Sequence, residues 1–341
     1  MTRRVSINVI TNNDVEYLPD FFRALSLQTF HNFDLLVIDN NSQDDTVHYI
    51  RRNHPRVAIL QNLNNLGISK AHNQGIKFSK SEYILFLSQA ILLLPDTLQI
   101  MVSAIEKDDS IGAVGGKVLR MTDGSEEGSK LQSDMIESAG LSISKGRRIY
   151  RRGNGESDRG QFDESGYVFG FDGDFVMYRR NALESTKIEI PKETISEYLD
   201  EDLSLAGGDI DLAWRMYLSG WKALYLPNVS VYNNAVSSSA KIKSKFFRKR
   251  RNDQNTIYSV GLRNHLLMIA KNEPISTMFQ SFLPILGLKF QQVAVGMIFQ
   301  RGVVREMRNF MRLLPKSRLK RNSVQSKIKV SKEDIHAITS S

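Results

Sequence analysis

The stretch Phe33–Thr46, Phe-Asp-Leu-Leu-Val-Ile-Asp-Asn-Asn-Ser-Gln-Asp-Asp-Thr, constrains the fold more than any other part of the chain. Leu35 to Ile38 form a short continuous apolar run, as in a strand buried on both faces of a parallel sheet. Asp39 ends that run abruptly. In open α/β sheets ligands bind beyond the carboxyl ends of the strands, so a carboxylate here can accept hydrogen bonds from a ligand. Ser42, with Asp45 three residues later, reads as the start of a helix. A solvated strand-to-helix turn would look the same in isolation.

The segments around it decide the fold class. Val5, Ile7 and Val9 alternate as in a first strand, which ends at Thr11-Asn-Asn. Leu18, Phe21, Phe22 and Leu25 recur at helical spacing. A helix to about His54, a strand from Val57 to Leu60, a helix from Ile68 to Lys80, a strand from Tyr83 to Leu87 and a helix opened by Pro95 follow. Strands alternating with helices imply an α/β fold with a mostly parallel central sheet. A dinucleotide-binding fold needs Gly-x-Gly-x-x-Gly after the first strand. Thr11-Asn-Asn-Asp-Val-Glu stands there instead, which excludes a dehydrogenase of that type.

The blocks quoted so far, with Asn65-Leu-Gly-Ile-Ser-Lys-Ala-His-Asn-Gln-Gly75, come in an order and spacing that resemble the family 2 glycosyltransferases. These are inverting enzymes of the GT-A fold. Arg151-Arg-Gly-Asn-Gly-Glu and Asp158-Arg-Gly-Gln-Phe-Asp resemble the rhamnosyltransferase-type branch that builds bacterial surface polysaccharides. The resemblance covers roughly residues 5 to 265. It implies a nucleotide-sugar donor and a glycan or polyprenyl-linked acceptor. It also implies a GT-A domain over 1–240 with a helical, basic C-terminal region over 241–341.

The resemblance assigns roles by position. Asp39 contacts the nucleotide, Thr11, Asn13 and Asn41 line the same pocket, and Asn65, Lys70 and Asn73 lie close to it. A cation near a diphosphate and N–H groups at a helix start supply the physical warrant; a solvated helix lysine is an equal reading of Lys70. Residues 120–165, polar and Gly-rich, read as a long active-site loop carrying Arg147, Arg148, Arg151 and Arg152. Gly207-Gly-Asp-Ile-Asp-Leu-Ala-Trp-Arg215 matches the family's Glu-Asp-x-Asp-Leu-x-x-Arg, with Gly208 in place of the Glu. Asp209 is then the general base and Asp211 the second acid of the catalytic pair. Asp211 and Arg215, at i and i+4, can pair along the helix. An N-cap role for Asp209 is compatible with both readings. Trp214 reads as packing.

The family's divalent metal site is altered. Ser88-Gln-Ala-Ile91 stands where an Asn-Pro-Asp or Asp-x-Asp element is expected, so Ala90 replaces the metal-binding Asp. Asn233 replaces the metal-binding His. A hard cation needs oxygen donors, which Ala lacks. Fixed arginines or Lys70 could meet the diphosphate instead. Otherwise the chain is a catalytically inactive, nucleotide-binding relative.

Composition adds bounds. Hydrophobic residues make up 41% and charged residues 24%, as in a globular protein. There is no cysteine, hence no disulfide and no thiol catalysis. No signal peptide and no apolar run of spanning length are visible. Residues 241–341 carry +16 of formal charge, which against +9 for the whole chain leaves −7 on residues 1–240. The basic run Lys241–Arg251 and the apolar stretch Ile275–Phe299 suit a peripheral place on the anionic cytoplasmic face of a membrane. A helical hairpin packed on the core explains the apolar stretch equally. A nucleic-acid-binding protein is the rival from another class, but no recognised module supports it. The last ten residues read as disordered.

Overall fold

The computed structural model describes residues 3–123, 130–190, 196–203, 206–235, 247–278, 283–285, 287, 292–293 and 302–340. The side chains of the basic run Lys241–Arg251 and most of the stretch 275–299 lie outside these.

Alternating strands and helices build a three-layer α/β body. The strands are β1 (Val5–Thr11), β2 (Phe33–Asp39), β3 (Ala58–Gln61), β4 (Tyr83–Leu87), β5 (Ile91–Leu93), β6 (Ile111–Asp123), β7 (Lys130–Ser138), β8 (Leu141–Ile143), β9 (Ile149–Arg151), β10 (Gly166–Val168), β11 (Phe175–Arg179), β12 (Ile188–Glu189), β13 (Ser196–Glu197) and β14 (Lys222–Asn233). The helices are α1 (Leu18–Ser26), α2 (Thr46–Asn53), α3 (Ile68–Phe78), α4 (Thr97–Ile105), α5 (Arg180–Thr186), α6 (Gly208–Leu218), α7 (Phe247–Asn272), α8 (Gly302–Gln325) and α9 (Lys332–Ser340).

The main sheet runs β10-β14-β6-β11-β4-β1-β2-β3. β3, β2, β1 and β4 are mutually parallel, as the buried apolar runs required. β11 enters antiparallel to β4 and β6, and β14 returns parallel to β6. β4 shows why the sheet has two faces. Tyr83, Leu85 and Leu87 pack with α1 and α4, whereas Ile84 and Phe86 pack with α3, α5 and α6, as the two-residue period of a strand dictates.

Three expectations are corrected. Residues 120–165 are not one long loop: β7, β8 and β9 fall within them, and β7 extends the sheet edge against β6. The second helix starts at Thr46, whose N–H meets Asp44 Oδ1 at 3.0 Å; Ser42 instead accepts the Asn13 N–H at 3.0 Å. The C-terminal residues 332–340 form α9, opened by reciprocal bonds between Ser331 and Asp334 in the manner of a capping box. α9 is anchored by Ile335 and Ile338 in a cluster with Trp214, Leu218, Leu267 and Val324.

That cluster fixes α7–α9 on the sheet body, and buried ion pairs reinforce it. Lys271, at the end of α7, meets Asp211 at 2.9 Å and also contacts Asp200. Lys320, on α8, meets Glu197 at 2.7 Å and Asp202 at 2.8 Å and also contacts Asp200. Some of the basic segment's cations therefore turn inward. They neutralise the acidic turn Glu197–Asp202.

Candidate active site

A cavity of about 490 Å³ opens where α3 and α6 begin, beside the ends of β1 and β4. Two helix N-termini, each with its partial positive charge, meet there. Its lining includes Ser69, His72, Gln89, Arg151, Asp172, Asp174 and Asp209.

Asp209 is the second residue of α6. Gly207, at φ 95°, turns the chain into the helix, a left-handed conformation that suits glycine. The Gly173 N–H donates to Asp209 Oδ2 at 2.7 Å. A Cβ at Gly208 would lie 2.2 Å from Ser69 Oγ, so any larger residue there needs the Ser69 side chain to move. Burial pushes the Asp209 carboxyl above its ordinary range, against the Gly173 bond, and nearby Asp172 adds to the rise.

Arg151 is the hub of the opposite wall. It meets Glu137 at 2.7 Å, Asp172 at 3.1 Å and Asp174 at 3.2 Å. Burial and then Asp172 raise Asp174 to about 7, although its side chain remains 46% exposed toward the cavity. Three carboxylates thus meet one guanidinium, and two of them, Asp172 and Asp174, line the cavity with Asp209. Such a lining offers many acceptors, which suits the hydroxyls of a sugar better than a bare diphosphate. Burial also pushes His72 down to about 3, so the imidazole is neutral; it stacks on Phe86 at 3.7 Å.

The other sequence candidates fall into distinct settings. Asp39 lies buried at the end of β2, where the Ser42 N–H donates to both its carboxylate oxygens at 3.2 and 3.3 Å. Around it the loops after β1 and β2 are tied together. Asn13 Oδ1 accepts the Gln43 N–H at 2.6 Å, and Thr11 Oγ1 donates to Asp14 at 3.1 Å. Asn13 and Asn41 adopt φ of 64° and 67°, a region Asn tolerates. Asn65 Oδ1 accepts the Gly67 N–H ahead of α3. Lys70 pairs loosely with Glu201 at 3.8 Å.

Apart from Asp209 and Arg151, the sequence candidates do not line this cavity. Asn73 bonds Leu199 through both amide ends, and its Nδ2 also reaches Glu201 at 2.9 Å, so it pegs the turn before α6. Asp211 is buried, and its carboxylate is held by Arg215 at 2.8 Å, Asn272 at 2.8 Å and Lys271 at 2.9 Å. It therefore holds α6 in place. Arg152 covers the Phe162 ring at 5.1 Å, and Arg147 is buried against Glu273. Of the four arginines in that cluster, Arg151 lines the cavity.

Glu137, Asp172 and Asp174 were missed in the sequence. Asp172-Gly-Asp174 carried a signal, since it is an Asp-x-Asp element. Glu137 carried none, because only the meeting of β7 and the residue after it with residues 152–156, as in the Ala139 N–H bond to Arg152 O at 2.9 Å, brings it to Arg151.

The model of glycosyl transferase family 2 matches residues 6–186, just over half of the chain. The chain belongs to glycosyl transferase family 2. This family 2 chain is 26% identical over 110 residues to an uncharacterized glycosyltransferase of Haemophilus influenzae, covering 32% of the chain and 37% of that protein. It is 24% identical over 221 residues to the poly-beta-1,6-N-acetyl-D-glucosamine synthase of Staphylococcus aureus, covering 63% of the chain and 46% of that protein. Its fold is similar to the crystal structure of GalNAc-T7 with UDP, GalNAc and Mn2+, at a TM-score of 0.54 and 14% identity, over 79% of the chain and 48% of that structure. The chain thus spans under half the length of each of these three proteins.

A divalent ion of the kind the resemblance implies does not fit the residues at the expected place. Ala90 has no side-chain donor. Asn233 spends Nδ2 on Glu137 at 2.9 Å and Oδ1 on the Ala235 N–H at 2.9 Å. Among the described residues no group of three or more His, Asp or Glu side chains is placed to hold a metal.

Proposed function

We propose that this chain transfers a sugar from a nucleotide-activated donor to a hydroxyl of a glycan acceptor, with inversion and with Asp209 as general base. The observation that carries this reading is the Asp209 carboxylate on the cavity wall, oriented by the Gly173 N–H at 2.7 Å and shifted upward by burial. A raised pKa makes a carboxylate a stronger base.

The nucleoside lies along the Thr11, Asn13, Asp39 and Asn41 loops, and the sugar enters the carboxylate-lined cavity. Asp172 and Asp174 accept bonds from its hydroxyls, with Arg151, backed by Glu137, holding them in place. The acceptor hydroxyl gives its proton to Asp209 as its oxygen attacks the anomeric carbon. The bond to the diphosphate breaks from the opposite face and carries its electron pair away. The start of α3 and Lys70 meet the charge that develops on the leaving group. No step is routed through a metal ion.

Relatives named as chondroitin synthase of Escherichia coli and the staphylococcal polysaccharide synthase support a cell-surface polysaccharide as the product class. The donor sugar proposed is a hexose or deoxyhexose. The protein sits peripherally on a membrane's cytoplasmic face; the +16 on residues 241–341 supports this place, and no helix among the described residues is long and apolar enough to cross.

A second reading, an inactive nucleotide-binding relative, draws on the joint replacement at Gly208, Ala90 and Asn233. The test is transfer from a panel of nucleotide sugars, with product configuration read by NMR, in chelator and in Mn2+. Inverted product in chelator supports the proposal. Activity only with added metal contradicts a metal-free route, and nucleotide binding without product under any condition favours the inactive relative.

A further inference from the structure

Segments of two kinds line the active-site cavity. β9, the turn before β11 and the start of α6 bring Arg151, Asp172, Asp174 and Asp209. Arg151 is already claimed by Glu137, Asp172 and Asp174, at 2.7, 3.1 and 3.2 Å. These segments therefore carry more negative than positive charge, and a diphosphate laid against them meets like charges, which oppose binding. The start of α3 and the turn after β4 bring Ser69, His72, Ser88 and Gln89, and no carboxylate. The Ala71 N–H is the first to bond back along α3, to Gly67 O at 3.2 Å. The N–H groups of Ile68, Ser69 and Lys70 precede the helical ladder and are the orphan donors of that helix end.

His72 belongs to the second set and is 5% exposed. Its ring lies on Phe86 of β4 at 3.7 Å and 15°, so packing fixes the ring plane. Its Nδ1 is buried without a hydrogen-bond partner. That leaves Nε2 as the nitrogen that opens to the cavity. A neutral imidazole has one donor and one acceptor nitrogen. As with backbone groups, a buried N–H left without an acceptor is rarer than a buried acceptor left without a donor. The proton is therefore assigned to Nε2, with the Nδ1 lone pair buried. Burial alone pushes the ring down to about 3, so this neutral form holds throughout the neutral pH range. His72 is a fixed donor aimed into the cavity from the segments that carry no acid.

We propose that His72 is the leaving-group donor of the transfer: its Nε2–H bonds the phosphate that departs from the sugar, beside the free N–H groups at the start of α3. In the step itself the bond from the anomeric carbon to the phosphate oxygen breaks, and its electron pair passes to the diphosphate. The acceptor oxygen bonds the anomeric carbon, and its proton passes to Asp209. The His72 proton stays on nitrogen, and its bond strengthens as charge grows on the phosphate, so the residue needs no reprotonation between turnovers. A donor held in place before the reaction acts where charge develops and costs no reorganisation. This role rests on the transferase reading; the orientation and tautomer of His72 do not.

The experiment uses the full chain in chelator, by calorimetry, with the diphosphates and monophosphates of uridine, guanosine, adenosine, cytidine and thymidine as probes. His72→Phe keeps an aromatic ring on Phe86 and removes the donor. His72→Gln keeps an N–H near the place of Nε2. For the nucleoside that binds, His72→Phe should weaken the diphosphate about tenfold or more, as expected for the loss of a bond to a charged acceptor. The monophosphate should bind as before, and His72→Gln should recover most of the loss. Nitrogen NMR of the wild-type protein, with His72 assigned by its contact with the Phe86 ring, needs no variant to fold. It should show the proton on Nε2 and a signal that moves with diphosphate and not with monophosphate. Equal losses for diphosphate and monophosphate would place His72 at the nucleoside and overturn the proposal, as would a proton on Nδ1. Diphosphate binding in the wild type that His72→Phe leaves unchanged would remove the donor while the transferase reading stands. No nucleotide binding in the wild type would remove both.

Discussion

Lys271→Met tests how the C-terminal helices hold the active-site helix. Lys271 is fully buried and bridges Asp200 and Asp211, joining the end of α7 to α6 and to the turn before it. Removing one partner of a buried ion pair costs about 3–5 kcal/mol, because a charge is left without its counterion. Each of these acids keeps one cation: Asp211 retains Arg215 at 2.8 Å, and Asp200 retains Lys320. The cost should therefore lie near the lower limit, about 3 kcal/mol. The pH dependence has a definite sign. Burial pushes Asp200 up, but Lys271 and Lys320 outweigh it and hold the carboxyl below its ordinary range. A depressed carboxylate contributes stability above its unfolded pKa of about 3.9 and loses it as pH falls toward the folded value. The difference between wild type and variant should be full at neutral pH and shrink below about pH 4. Urea unfolding followed by tryptophan fluorescence measures it, with Trp214 in the cluster that joins α6 to α7 and α8. A cost under about 1 kcal/mol at neutral pH, or one that grows on acidification, would refute the reasoning.

Three further outcomes follow from the site. Gly208→Ala places a methyl 2.2 Å from Ser69 Oγ and should cost about 1–3 kcal/mol by overpacking; Ser69→Ala in the same chain should recover most of it in thermal unfolding, and a tolerated Gly208→Ala alone would contradict the contact. Asp172→Asn removes a negative charge that raises Asp209, so the acid limb of the kcat/KM profile should move to lower pH; an unmoved or upward-shifted limb would count against Asp209 as the titrating base. Asp39→Ala should weaken nucleoside diphosphate binding by ~1–3 kcal/mol, and unchanged affinity in a folded variant would detach Asp39 from the donor.

Much of the fold was legible in residues that neighbour one another in sequence. The parallel strands announced themselves because Leu35–Ile38 and Tyr83–Leu87 are apolar on both faces. Asp209 came from the resemblance of Gly207-Gly-Asp-Ile-Asp-Leu-Ala-Trp-Arg215 to the family pattern, whereas the i, i+4 pair in that stretch was readable from spacing and forms at 2.8 Å between Asp211 and Arg215. The acidic wall was not legible. Glu137, Arg151 and Asp172 come from separate strands and turns, and Glu137 reaches Arg151 only where the edge strand β7 meets residues 152–156. That edge was hidden because Lys130-Leu-Gln-Ser-Asp-Met is too polar to read as a buried strand. The C-terminal charge misled in part, because Lys271 and Lys320 look solvated in sequence yet are buried against acids about seventy and one hundred and twenty residues away. α9 could have been found from Ser331 and Asp334 at capping-box spacing.

The most direct test of Asp209 as general base is the turnover of Asp209→Asn, measured with saturating donor and acceptor beside donor affinity. The expected result is a fall in kcat of roughly 10²–10⁴, the usual contribution of a positioned base. Donor binding should change little, because the Gly173 N–H can still be accepted by the amide oxygen. Near-normal turnover in a folded Asp209→Asn protein would contradict the assignment of Asp209 as the base.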